Sequence, residues 1–178
     1  MEITGELVKL RAFRETDAEP IAEALRDPAV TEWLDSWAWG PYSLYDAQEF
    51  IRQRGPDTTT WAIECLEDGA LIGSTGLHAL DFRNRHCYWG IWIGPPARWG
   101  KGYGTEACRL SVKYAFQALG MEKVYLYVYE GNDRGRRTYE NAGFQLEGTL
   151  PRHHWHVGRL TTAYLMAAYR DHPLYSRS

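Results

Sequence analysis

The stretch Gly90-Ile-Trp-Ile-Gly-Pro-Pro-Ala-Arg-Trp-Gly-Lys-Gly-Tyr-Gly-Thr105 decides how this chain is read. Gly90 to Ile93 predicts the end of a strand. Gly94 to Gly104 predicts a loop, stiffened by Pro95 and Pro96 and carrying glycines at 100, 102 and 104. From Thr105 onward, Cys108, Val112, Ala115, Phe116 and Leu119 recur at helical spacing, and Gly120 is the stop signal. Where a strand feeds a glycine-rich loop that opens a helix, backbone N–H groups and the positive end of the helix dipole converge, and an anion fits there. Glycines let the backbone come close to a bulky anion. Arg98 and Lys101 add positive charge at the rim.

Two familiar phosphate loops are excluded by spacing. A Walker loop needs Lys and then Ser or Thr after its second glycine, whereas Gly102 follows Lys101. The dinucleotide fingerprint needs a glycine where Thr105 stands.

Composition narrows the function classes. A chain of 178 residues suits one domain, 1–178, with a sizeable core. The net charge is −3, so a broad basic footprint is lacking and nucleic acid is not expected as a direct partner. Cys65, Cys87 and Cys108 are odd in number and scattered, with neither metal spacing nor a disulfide framework, which points to the reducing cytoplasm. Neither a signal peptide nor an apolar run long enough to cross a bilayer is visible, so no membrane association is expected.

Leu7 to Phe13 alternates as a strand does, and Thr16-Asp-Ala-Glu19 reads as a capping box before Ile21, Ala22 and Leu25 at helical spacing; Asp27-Pro28 breaks that helix. Pro28 to Tyr45 is irregular and rich in tryptophan, with Trp33, Trp37 and Trp39 among Glu32, Asp35 and Asp46. A second helix follows from about Leu44, with Leu44, Ala47, Phe50 and Ile51 facing inward and Gly55-Pro56 ending it. Strands are predicted at Thr60–Leu66 and Ala70–His78 around the hairpin signal Glu67-Asp-Gly69, and then at His86–Ile93. Lys123 to Tyr129 alternates strictly, with Val124, Leu126 and Val128 on one face and tyrosines on the other. A helix separates it from the preceding strand, so the two should run parallel. Gln145 to Tyr169 reads as strand, turn and strand.

The segment Arg98-Trp-Gly-Lys-Gly-Tyr-Gly-Thr105 resembles the Arg/Gln-x-x-Gly-x-Gly/Ala diphosphate loop of the GNAT superfamily of N-acetyltransferases. The wording Trp-Ile-Gly-Pro…Trp-Gly-Lys-Gly-Tyr-Gly-Thr-Glu-Ala looks most like the branch that acetylates ribosomal-protein N-termini. The opening Leu-Val-Lys-Leu-Arg-Ala-Phe-Arg-Glu-Thr-Asp-Ala resembles the first strand and helix of that family, so the likeness covers most of the chain. It implies an α/β (α+β) fold: a mixed, mostly antiparallel sheet with a splayed parallel pair in the middle, flanked by helices. It implies acetyl-CoA as co-substrate, with Arg98, Trp99, Gly100, Lys101, Gly102, Tyr103, Gly104 and Thr105 at the diphosphate, and backbone contacts from Trp92 and Ile93 to the pantetheine arm. An N–H near Ile91 to Ile93 would polarise the acetyl carbonyl.

Asn132-Asp-Arg-Gly-Arg-Arg-Thr-Tyr-Glu-Asn-Ala-Gly-Phe144 resembles the family's Asn-x-x-Ser…Tyr-Glu-Lys-x-Gly-Phe segment. By that resemblance Asn132 caps a helix and bonds the pantetheine arm, and Tyr139 protonates the departing thiolate. A tyrosine, with a reference pKa of about 10, can supply that proton at neutral pH. Against this stands the plainer reading of Tyr139 as a core tyrosine on an amphipathic helix. Two positions depart from the pattern: the Ser is Gly135, and Thr162 stands where the ribosomal branch commonly has Asp. Arg134, Arg136 and Arg137 could meet the adenosine 3′-phosphate or form an ordinary exposed cationic face.

For the acceptor, Trp33 and Trp37 with the nearby carboxylates could hold an ammonium group, or the aromatics could simply be core. His78 and His154, with His156 and Glu130, are candidates to take the amine's proton. Ligand spacing for a metal is missing around the histidines, and no metal is expected. The reading is therefore a transferase moving acetyl from acetyl-CoA to a primary amine by direct attack, since no activated nucleophile supports a covalent route. The acceptor would be a protein N-terminus or a small amine such as an antibiotic or a polyamine. A CoA-binding sensor or scaffold is the rival from another class. A homodimer is suggested by analogy alone.

Overall fold

The computed structural model describes residues 2–54 and 59–176. The strands are β1 (Ile3–Thr4), β2 (Val8–Arg11), β3 (Thr60–Cys65), β4 (Leu71–Asp81), β5 (His86–Ile93), β6 (Lys123–Tyr129), β7 (Gln145–His156) and β8 (Arg159–Tyr169). The helices are α1 (Ala18–Leu25), α2 (Pro28–Thr31), α3 (Leu44–Arg52), α4 (Tyr103–Gln117) and α5 (Asp133–Asn141). The eight strands follow the order β1-β2-β3-β4-β5-β6-β8-β7. The pairs β1–β2, β2–β3, β3–β4, β6–β8 and β7–β8 are antiparallel, and β5–β6 is parallel. This is the mixed α/β architecture that the sequence predicts, with helices flanking the sheet.

The chain forms two compact units, Met1–Gly76 with Ile91–Leu110, and Leu77–Gly90 with Ser111–Ser178. In the first unit, α1 is amphipathic and buries Ile21, Ala22 and Leu25 with Val30, Ala47 and Trp92 in one apolar cluster. Phe13, Phe50, Ile51, Tyr42 and Trp99 pack against it. Beside that cluster lies a charged one. Arg11 is 2% exposed and donates to both carboxylate oxygens of Asp17, at 2.8 and 2.9 Å, and to Glu64. Lys9 and Arg14 also reach Glu64, at 2.9 and 3.0 Å. Burial alone would push the Glu64 carboxyl up, but hydrogen bonds from Lys9 and Arg11 and their charges outweigh it and hold it down to about 2. These pairs tie β2, β3 and the start of α1 together, because a buried charge left without its partner is strongly destabilising.

In the second unit, β6 buries Val124, Leu126 and Val128 and turns its tyrosines to the other face, as the alternation predicts. Trp89, 1% exposed, donates its indole N–H to Ser111 Oγ at 2.8 Å. The tyrosine face carries a run of rings, with Tyr125 at 5.7 Å from Tyr88 and Tyr88 at 6.2 Å from Tyr127.

Several local expectations change. No box forms from Thr16 and Glu19 at the start of α1: Asp17 there faces Arg11, and its Oδ2 accepts from the Arg14 N–H at 2.7 Å. Leu44 is exposed: Ser43 and Asp46 cap α3 there, which leaves the first helical residue on the solvent side. The Gly55-Pro56 stop lies outside the described residues; α3 itself ends at Arg52. Helix α4 starts at Tyr103, two residues before Thr105, since Gly102 O accepts from Glu106 N at 3.0 Å and closes an earlier turn. Strand β4 runs on to Asp81, and β2 covers only Val8–Arg11.

Candidate active site

In the first unit, the last residues of β5 and the loop after them form a tightly braced element. Gly94 N donates to Ile72 O at 2.9 Å, and a Cβ on Gly73 would lie 2.1 Å from Trp92 O, so the β4 backbone at residue 73 has room for glycine alone. Successive residues of a strand turn their backbone groups to opposite sides. Ile91 and Ile93 therefore point theirs away from β4. The Ile93 carbonyl accepts from the indole N–H of Trp99 at 2.8 Å, which fastens the loop to the strand it leaves. Trp92 aims its side chain into the apolar cluster around α1 and its carbonyl against β4 at residue 73, so the expected backbone contact to a ligand arm falls to Ile93 and not to Trp92.

A single 3-10 turn, Pro96–Arg98, then delivers the glycines. Gly100 has φ +75° and Gly102 φ +86°, in the region where side chains are strained. Helix α4 follows at once, and the first-turn N–H groups of a helix have no acceptor within it. Lys101 is exposed at the tip. Tyr103 is buried, with its hydroxyl hydrogen-bonded to Cys65, so its backbone is the part that can meet a ligand. Gly104 and Thr105 lie in the first turn of α4.

Arg98 departs from expectation. Its guanidinium donates to Asp68 Oδ2 at 2.6 Å, so its charge is spent within the protein. The spacing agrees: the residue three before Gly102 and five before Gly104 is Trp99, and it is Trp99 whose side chain braces the strand.

In the second unit, Asn132 caps α5, its Oδ1 accepting from Gly135 N at 3.0 Å. A Cβ on Gly135 would lie 2.7 Å from Asn132 Nδ2, so a side chain there would need the Asn132 amide to shift. Asn132 has folded over the place a side chain would take. Tyr139 lies on α5, half-buried, its ring edge-on to Trp89 at 5.6 Å and tilted to Phe144 at 6.3 Å. Those two rings fix its orientation. Arg136 pairs with Glu140 at 2.9 Å, whereas Arg134 and Arg137 are exposed.

The candidate proton acceptors differ in setting. His78 is exposed on β4, with its imidazole 4.0 Å from where a Cβ on Gly90 would sit, so the ring lies over glycine backbone of β5. His154 is half-buried and stacked on Tyr129 at 3.6 Å. The hydrogen bond from the Thr162 backbone, aided by Arg159, holds the Glu130 carboxyl below the usual range and makes it a poor base at neutral pH. Thr162 itself is locked in that backbone exchange, since Glu130 N donates to Thr162 O at 2.9 Å. Among the described residues there is no group of three or more His, Cys, Asp or Glu side chains that could hold a metal ion. Nor is any described helix long and apolar enough to cross a membrane.

Of the acceptor candidates in the first unit, Trp37 is 47% exposed and stacked on Phe50 at 6.2 Å, and Trp33 is half-buried. The Asp46 carboxylate is engaged by Ser43 in the α3 cap. Sequence reasoning missed Glu106. Its carboxylate accepts from the backbone N–H groups of Glu6, Leu7 and Val8 at 2.9, 2.7 and 2.7 Å. An acidic residue in a first helical turn is a visible signal, but its partners lie about a hundred residues away in the chain and leave no trace in local spacing.

The family model of the acetyltransferase (GNAT) domain matches residues 8–145. The Bacillus subtilis protein provisionally named ribosomal N-acetyltransferase YdaF is 34% identical over 150 residues, covering 81% of each chain. The spermidine N(1)-acetyltransferase of Escherichia coli K12 is 26% identical over 166 residues, covering 92% of this chain and 86% of its own. A crystal structure of a Vibrio cholerae spermidine N-acetyltransferase, in complex with CoA and spermine, superposes with a TM-score of 0.80 at 24% identity, covering 94% of this chain and 98% of the other. With the strand order, the parallel β5–β6 pair and the glycine loop opening α4, these matches establish that the chain belongs to the GNAT family of acyl-CoA-dependent N-acyltransferases.

Proposed function

We propose that this chain, taken as one catalytic domain over 1–178, transfers acetyl from acetyl-CoA to a primary amine, either a protein N-terminus or a small amine. The observation that carries the reading is the loop itself: Gly100 and Gly102, both at positive φ, lead into α4 directly after β5. Backbone N–H groups of residues 100 to 105 would hold the diphosphate, since Trp99 N already donates to Pro96 O at 3.0 Å, with Lys101 as the exposed cation. Of Trp92 and Ile93, the backbone of Ile93 would pair with the pantetheine amides, because the Trp92 carbonyl lies against β4 at residue 73. Since Ile93 O already serves Trp99, the N–H is what Ile93 offers.

The reaction is then a direct displacement. The amine nitrogen bonds to the acetyl carbon as the C–S bond breaks. The amine proton leaves to a base, and the thiolate takes a proton. Tyr139 is assigned as that proton donor; its ring is steadied by Trp89 and Phe144. Asn132 supports the pantetheine arm through its amide group, Oδ1 being held by Gly135 N. His78 is assigned as the base, because the hydrogen bond from Thr162 weakens Glu130 as a proton acceptor and His154 is stacked against Tyr129. Trp33 and Trp37 are assigned to the acceptor's approach, the latter by its exposure. The relatives named for ribosomal and spermidine acetylation support a cationic amine of either kind. A reducing cytoplasmic setting suits the three cysteines, all buried and none in a disulfide.

The test is release of free CoA thiol from acetyl-CoA with a panel of N-terminal peptides, polyamines and amino-sugar antibiotics. Turnover with one class at low acceptor concentration supports the reading and names the acceptor. CoA binding without thiol release across the panel would overturn it.

A further inference from the structure

We propose that Glu106 is a positioning residue for the diphosphate loop, acting by being drawn away from it. This rests on the reading of residues 100 to 105 as the diphosphate site.

At the third position of a helix a glutamate folds back on its own helix start and bonds an N–H group there, and Glu106 stands one residue beyond that position in α4. At a helix start meant for a diphosphate, such a carboxylate would compete for the same donors and repel the ligand's charge. Glu106 does neither. Its Oε1 accepts from Glu6 N, and its Oε2 from Leu7 N and Val8 N, all within 2.9 Å. Three backbone dipoles from the β1–β2 turn therefore absorb its charge. Meanwhile the Glu106 backbone N–H bonds Gly102 O at 3.0 Å, so the same residue closes the first turn of α4.

The turn that receives the carboxylate is shaped for it. A Cβ on Gly5 would lie 2.6 Å from Glu106 Cδ and Oε2, so any side chain there would push the carboxylate from its place. Leu7 completes the link: its N–H holds Glu106, while its Cδ1 lies 3.2 Å from where a Cβ on Gly102 would sit. The loop glycine thus rests on the very turn that Glu106 grips. Leu7 O in turn accepts from Leu66 N at 3.0 Å, which anchors the turn beyond the end of β3. The carboxylate both fixes the height of Gly102 and keeps its own charge off the first-turn amides.

The test is CoA affinity by calorimetry on wild type, Glu106→Gln and Gly5→Ala, with unliganded melting temperatures and, for the best acceptor of the panel, KM and kcat. In Glu106→Gln an amide NH₂ faces a backbone N–H, and the charge that held three donors is gone. The CoA dissociation constant and the KM for acetyl-CoA should rise roughly tenfold. The kcat at saturating acetyl-CoA should stay within about twofold, because the group acts on ligand binding and not on the chemical step. Gly5→Ala, which pushes the carboxylate from the far side and keeps its charge, should weaken CoA in the same direction. Tighter CoA binding in Glu106→Gln would mean that repulsion dominates and would overturn the proposal. So would a lowered melting temperature with unchanged CoA affinity in both variants, the mark of a purely structural role. Wild type that ignores CoA altogether would instead sink the diphosphate reading beneath it.

Discussion

Helices α4 and α5 begin in opposite ways. At the start of α4, Gly100 and Gly102 supply backbone at positive φ, and the acidic side chain of the first turn is led off to Glu6, Leu7 and Val8. At the start of α5, Asn132 closes its own helix by accepting from Gly135 N, and Gly135 carries no side chain to push the Asn132 amide aside. One helix start offers glycine backbone with no carboxylate folded back on it, and the other is completed by its own sequence. Any contribution of Asn132 to ligand binding is thereby left to its Nδ2 donor.

Breaking the glycine start should have the largest effect. Gly102→Asp would place a like charge at the diphosphate and an L side chain at φ +86°, against Leu7. Repulsion of that kind costs several kcal/mol, so CoA affinity measured by calorimetry should fall by about 100-fold or more. Unchanged affinity would remove the contrast between the two helices.

Next comes the chemistry carried by α5. Tyr139→Phe keeps the ring against Trp89 and Phe144 and removes the hydroxyl. Turnover should drop by about 100-fold, with the CoA dissociation constant within about twofold. Equal rates would take Tyr139 out of the mechanism.

Opening the self-completed start is a milder change. Asn132→Ala removes the α5 cap and should cost about 1 kcal/mol in chemical denaturation. CoA affinity should move less than it does for Gly102→Asp. A loss of CoA affinity as large as that one would mean that α5 is a ligand-binding start after all.

The smallest effect is expected at Arg98. Since Asp68 takes its charge at 2.6 Å, Arg98→Ala should change CoA affinity by no more than about twofold and stability by under about 1 kcal/mol, the usual worth of a solvent-exposed pair. A large loss of CoA affinity would show that Arg98 leaves Asp68 for the ligand.

Much of this was legible from residue order. Strict alternation in Lys123–Tyr129 gives the strand and its buried face, because side chains leave a strand on alternate sides. The glycine loop before a helical run gives the strand, loop and helix order found over His86–Gln117. The first turns of helices were read less well. Thr16 and Glu19 have the right spacing for a capping box, yet none forms from them, and Arg11, buried on β2, holds the Asp17 carboxylate beside the Arg14 N–H. Leu44 fits an inward stripe, yet the Ser43–Asp46 cap sets the helix phase that leaves it exposed.

By itself, then, the sequence determined which segments become strands and helices around the loop, while the likeness of its motifs pointed to the family. Those signals are periodicity and glycine placement, which act over a few neighbouring residues. Only the tertiary structure decided where the charges go: Arg98 to Asp68, Glu64 to Lys9 and Arg11, Glu106 to the amides of residues 6 to 8. A carboxylate near a helix start can turn toward its own helix or away from it with equal ease along the chain. The choice falls to donors brought close by folding, whose distance in sequence carries no local mark.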